Sequence, residues 1–119
     1  MKPRRRKGGT DLDFFADFSM TKTGLANELG VARSTCCVWE NLLFWRVTAF
    51  REAYPKRKDG TTFREAPLSP YQCWCVARCG RLMSHLTRTE LVKEAISQNP
   101  AYFSKYAYNN AVKQLSKGA

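Results

Sequence analysis

Arg33, Ser34 and Thr35 stand in succession, and Cys37 and Val38 fall on the turn that follows, all within the segment LANELGVARSTCCVWE from Leu25 to Glu40. A guanidinium beside two short hydroxyls is a set of hydrogen-bonding groups suited to phosphate oxygens and base edges. A second basic group, Lys56, Arg57 and Lys58, precedes Asp59-Gly60, with Thr61 just beyond it. A third, Arg4, Arg5 and Arg6, lies in the leading MKPRRRKGGT. These twelve residues are the candidate contacts to a polyanion. The cations of the second group suit backbone contacts, and those of the third suit either an arm along a minor groove or a solvated tail.

Groups for bond-breaking chemistry are missing from the pattern. There are no paired carboxylates, no nucleophile elbow and no phosphate-binding glycine loop, so an enzyme is not expected. His85 is the single histidine and reads as a helix-end or surface residue. The five cysteines fall as Cys36-Cys37 and Cys73, Cys75, Cys79, an odd number without the Cys-x-x-Cys spacing of a structural zinc site. They read as reduced thiols, mostly small buried hydrophobes, with a metal or redox role as the lesser alternative. Neither metal nor cofactor is expected.

The elements that position these groups follow from local signals. Thr21 can cap a short helix over 22–29 with Leu25, Ala26 and Leu29 on one face, and Gly30 suits the left-handed residue that ends it. Val31 turns inward and a second helix opens at 32–34. Its apolar pattern, Val38, Trp39, Leu42, Leu43, Val47 and Phe50, persists for four to five turns and stops before Pro55. Asp59-Gly60 then predicts a β-hairpin with Thr61, Thr62 and Phe63 on its second arm. Ser69-Pro70-Tyr71-Gln72 is a capping box with proline in the first turn, opening a helix to about Leu86 that Gly80 weakens. Thr87 to Glu90 reads as another box, and Asn99-Pro100 as the start of a last helix. The leader apolars Leu12, Phe14, Phe15 and Phe18 can pack on the body or on a partner.

The chain has 119 residues with 44% hydrophobic content, enough for one core and short of two. Twenty Lys and Arg against ten Asp and Glu leave a net +10, a balance that points to nucleic acid before anionic lipid. No apolar run approaches a membrane span, and the basic leader runs into Asp11, Asp13 and Asp17, unlike a secretory signal. The expected class is mainly α: a winged helix-turn-helix with a short β-hairpin wing and C-terminal helices. Residues 1–20 form a basic arm and Phe-rich leader, 21–86 the DNA-binding domain, and 87–119 a C-terminal pair. That pair divides between completing the core and forming a dimer seam, with the seam dominant. The location expected is cytoplasmic, on the nucleoid.

At Leu25-Ala26, Gly30-Val31-Ala32-Arg33-Ser34-Thr35 and Trp39-Glu40 the sequence resembles the helix-turn-helix of Cro-type phage repressors and MerR-type regulators. A basic turn followed by a helix opening at Leu68-Ser69-Pro70-Tyr71 is similar to the MerR order. In compact form it resembles the repressors of cyanobacterial CRISPR-associated transposons. Three departures stand out: Phe44 to Tyr54 inserts a helical stretch before the wing, Val38-Trp39 replaces a usual tyrosine pair, and the long coiled coil and effector domain are missing. The resemblance implies a homodimer on an inverted repeat of double-stranded DNA, acting as a transcriptional repressor. Two rivals remain at this stage. One is a DNA-bending, excisionase-like recombination factor, and the other a protein-interaction module docking through Phe14, Phe15 and Phe18.

Overall fold

In a computed structural model, which describes residues 13–118 and, for 116–118, the backbone only, six α-helices and one 3-10 turn pack around a single core. Leu12, Arg4, Arg5 and Arg6 lie outside the described residues. Helix α1, Lys22–Leu29, begins where Thr21 Oγ1 accepts from Gly24 N–H at 3.0 Å. It ends at Gly30, φ +73°, with Val31 N–H donating back to Ala26 O at 3.0 Å. That pair of features is a Schellman close, and the left-handed φ is the reason for glycine there.

Helix α2, Arg33–Arg46, turns back across α1 and carries Cys36, Glu40, Leu43 and Phe44 into the core. The long amphipathic helix expected here is two helices. Val47, at φ −117° and ψ 102°, interrupts it before α3, Thr48–Glu52. The break lets both Val47 (3% exposed) and Phe50 (0%) face inward. Arg51 Nη1 donates to the Phe44 carbonyl at 3.0 Å, giving one carbonyl of the broken end a partner.

Between α3 and the next helix the chain makes a tight turn rather than a β-hairpin. Arg57 N–H donates to Thr61 O at 2.7 Å, Gly60 takes φ +91°, and one antiparallel bridge joins Lys56 to Thr62. No strand forms among the described residues. Pro55 and Pro67 have no N–H to lend a ladder, and Arg64 is drawn toward α2. Asp59 Oδ1 accepts from Thr61 Oγ1 at 2.7 Å and from Thr61 N–H at 3.0 Å, which holds its carboxyl below the usual range.

Helix α4, Pro70–Leu86, is the spine of the core, with Cys73, Trp74, Cys75, Val76 and Cys79 all fully buried. Its predicted capping box is present, and Gln72 also spans elements: Oε1 accepts from Ser69 N–H while Nε2 donates to Phe50 O at 3.0 Å. Gly80 has a packing role instead of being merely a weak point. A Cβ there would lie 2.6 Å from Cζ3 of Trp39, so its bare backbone makes room for the indole of α2.

Thr87 is not an N-cap. It ends α4 in the left-handed region, φ 62°, its N–H bonded to Met83 O, and Arg88 precedes α5, Thr89–Gln98, without a side-chain cap. The last helix likewise starts later than expected. Pro100–Phe103 is a 3-10 turn, and Ser104 Oγ accepts from Ala107 N–H to open α6, Lys105–Gly118. Val92, Ile96 and Phe103 are fully buried, so α5 and the 3-10 turn belong to the core of the monomer; Leu91, Tyr106 and Leu115 remain exposed. The leader packs on the body: Phe14 and Phe15 lie against the core, Phe18 is exposed, and Met20 pairs with Leu68 through two backbone bonds of 2.9 and 2.7 Å.

Candidate nucleic-acid interface

The α1–turn–α2 unit presents the first turn of α2 to solvent. Ala32 precedes it with no side-chain acceptor, and no acidic residue occupies the first turn. The first-turn N–H groups therefore sit beside exposed Arg33 and Ser34, an electropositive end suited to an anion. Thr35 and Cys37 are half-buried and Val38 is exposed. Leu25 and Ala26 of α1, with Leu29 and Val31 partly covered, hold the two helices together from below.

The outer face of α2 extends further than the sequence reading placed it. Ser34, Val38, Asn41 and Trp45 are exposed at spacings of four, three and four, so they form one stripe along the helix. Trp45 is 63% exposed, an unusual position for an indole. The spacing is present in the sequence, but Trp45 sits within the apolar run Leu42–Phe50, where nothing local marks an outward-facing indole.

The basic turn is tied to α2 by Arg64. Its Nε and Nη2 donate to Glu40 Oε2 and Oε1 at 2.9 and 2.8 Å, and Nη2 also donates to Asn41 Oδ1 at 2.9 Å. Glu40 is 3% exposed and takes a third bond from Tyr54 O–H at 2.7 Å. Burial, then the bond to Glu40, pushes the Tyr54 phenol well above its ordinary range. The guanidinium of Arg64 stacks 4.0 Å from the Phe44 ring centre, and Lys22 Nζ of α1 reaches Arg64 O at 3.0 Å. The network therefore clamps α1, α2, Tyr54 just past α3 and the segment after the turn into one unit. No single window of sequence contains it, since Glu40 and Arg64 are 24 residues apart.

Within the turn, Lys56, Arg57, Lys58 and Thr61 are all exposed. Two of the cations already have acidic neighbours: Lys56 lies 3.6 Å from Glu52, and Arg57 is 2.6 Å from Glu65 while stacking over Phe63. Such exposed pairs are weak and exchange readily for phosphate.

The thiols are placed unevenly. Cys36, Cys73, Cys75 and Cys79 are buried, and burial pushes Cys36 up to about 11 and Cys73 and Cys79 up to about 12. Among the described residues, no group of three or more His, Cys, Asp or Glu side chains is arranged to hold a metal ion. No helix among them is long and apolar enough to cross a membrane.

A second ionic cluster fixes the leader. Asp13 pairs with Arg78 at 3.0 Å and with Arg81 at 2.8 Å, and Arg78 lies 4.2 Å from both the Trp74 and Tyr102 ring centres. Burial alone would raise the Asp13 carboxyl, but the hydrogen bonds and charge of Arg78, with the charge of Arg81, carry it below the usual range.

Compared with known proteins, the chain matches no family model, no curated protein and no solved structure.

Proposed function

We propose that this protein is a sequence-specific, double-stranded-DNA-binding transcriptional regulator, a repressor that acts as a homodimer on an inverted repeat. The observation that carries the reading is the α1–Gly30–α2 turn with an uncapped, acid-free helix end beside exposed Arg33 and Ser34. In this reading α2 enters the major groove N-terminus first. Arg33, Ser34, Thr35, Cys37 and Val38 meet base edges and nearby phosphates. The turn at Lys56, Arg57, Lys58 and Thr61 serves as a wing on the flanking backbone, on the MerR-type plan, although it lacks strands. Its attachment to α2 through Arg64 and Glu40 supports that use, because a wing has to hold a fixed register to the recognition helix. The net +10 charge supports a polyanionic partner.

Occlusion of polymerase is the simplest mechanism for this reading. The rival docking module loses support, since two of its three rings, Phe14 and Phe15, are spent on the chain's own core. Selection of bound duplexes from a random pool, at low and moderate salt, tests the proposal. Enrichment of an inverted repeat with half-sites about one turn apart, ~34 Å, is the expected result. Binding that selects no sequence and vanishes as salt rises would overturn it.

A further inference from the structure

Asn41 stands on the exposed stripe of α2, eight residues beyond Arg33, or about 12 Å along the helix axis. Its Oδ1 accepts two hydrogen bonds, from Trp45 Nε1 at 3.2 Å and from Arg64 Nη2 at 2.9 Å. An indole N–H and a guanidinium are donors only, so the amide orientation has a single solution: oxygen toward these two, nitrogen outward. Both lone pairs of Oδ1 are then in use. The exposed NH₂, which no hydrogen bond among the described residues employs, is left with donors alone.

An unconstrained asparagine reads adenine through a bidentate pair, accepting from N6 and donating to N7. Asn41 is denied the accepting half of that pair. Cytosine presents an amino donor in the major groove and is excluded for the same reason. Guanine, with acceptors N7 and O6, and thymine, with acceptor O4, suit a donor-only group best, whereas adenine keeps only a single bond to N7 beside an amino group that the amide cannot answer. We propose that Asn41 is a specificity-determining residue of the DNA-binding reading above, on which this inference rests. It favours guanine or thymine over adenine at the base it faces and rejects cytosine, and Trp45 and Arg64 are positioning residues that lock its amide.

The test repeats the random-duplex selection on the full chain for wild type, Asn41→Asp and Trp45→Phe. Aspartate keeps an oxygen toward Trp45 and Arg64 and turns the outward atom from donor to acceptor. One position per half-site should then change from guanine or thymine to cytosine or adenine, by roughly tenfold in relative affinity, with the other positions unmoved. Phenylalanine at position 45 removes the indole donor and frees one lone pair. Adenine should then join guanine and thymine at that same position.

A wild-type motif that Asn41→Asp reproduces at every position overturns this inference alone. So does an equal loss on all sequences, which would mark a phosphate contact. A wild-type pool with no enriched motif overturns the DNA-reading proposal and this inference with it. If Asn41→Asp fails to keep the wild-type helical spectrum, Trp45→Phe decides: an unchanged motif there also overturns the assignment.

Discussion

Replacing Arg64 by methionine strips the buried Glu40 carboxylate of its counter-charge while keeping much of the aliphatic stem over Phe44. Three hydrogen bonds of 2.8 to 2.9 Å disappear, two of them to a carboxylate that is 3% exposed. Breaking a buried pair from one side costs about 3–5 kcal/mol. Arg64 itself is 30% exposed, so solvent screens part of that and about 2–4 kcal/mol is expected. For a domain of this size the loss is a large share of a stability of about 5–15 kcal/mol. Urea unfolding followed by tryptophan fluorescence measures it. The second arm of the experiment is Glu40→Gln in the Arg64→Met background. Glutamine still accepts from Tyr54 O–H but carries no charge, so the double variant should recover about 1 kcal/mol or more. An Arg64→Met protein within about 0.5 kcal/mol of wild type, or a double variant no more stable than the single one, would refute the clamp as a source of stability.

Asp13→Asn should destabilise by about 1–3 kcal/mol at neutral pH, because the carboxylate serves two arginines. Its folded pKa lies below the unfolded value, so this contribution is complete above about pH 4 and is lost as pH falls through the folded value. The wild-type and variant stabilities should therefore converge on acidification, as read by urea titrations at a series of pH values. Gly80→Ala should cost about 1–3 kcal/mol despite its better helix propensity, because the new methyl meets Trp39; Trp39→Leu in the same chain should restore part of the loss in thermal melts. Alkylation of the native protein with iodoacetamide, followed by mass spectrometry, should modify Cys37 first and leave Cys36, Cys73, Cys75 and Cys79 until the chain unfolds. Arg33→Ala should weaken binding to the selected operator by about 1–3 kcal/mol, whereas Arg57→Ala should weaken all sequences alike and flatten the salt slope. Equal losses on operator and random DNA for both would sink this division of labour.

What could be read from the sequence was decided within a few residues of itself. Thr21 caps through Gly24, Gly30 closes α1 on Ala26, and Ser69 exchanges bonds with Gln72, so each signal and its partner lie in one short window. The misreadings share the opposite character. Thr87 to Glu90 satisfies the letter of a capping box, yet Thr87 is taken by the end of α4, a demand set by the helix before it. Val47 interrupts a run whose apolar period continues because the core needs Phe50 from a different direction. The Asp-Gly signal specifies a turn and the turn is there, but whether strands grow from it depends on where the second arm is pulled.

That pull also explains why the candidate interface was only half legible. Arg33, Ser34 and Val38 follow from helix geometry alone, since a helix opening after a tight turn has a first exposed face. Asn41 cannot be read that way. In sequence it is a polar residue in an apolar run, equally consistent with a solvated helix position. Its chemistry becomes definite only when Arg64, 23 residues on, arrives to take the oxygen that an asparagine otherwise keeps free. Arg64 is held there by Glu40, and the buried Glu40 also takes a bond from Tyr54, just past α3. A buried carboxylate that stabilises the fold thus also sets the donor pattern of a neighbouring surface residue. Arg64→Met should then change base preference at the Asn41 position as well as lower stability, although neither Arg64 nor Glu40 needs to touch DNA.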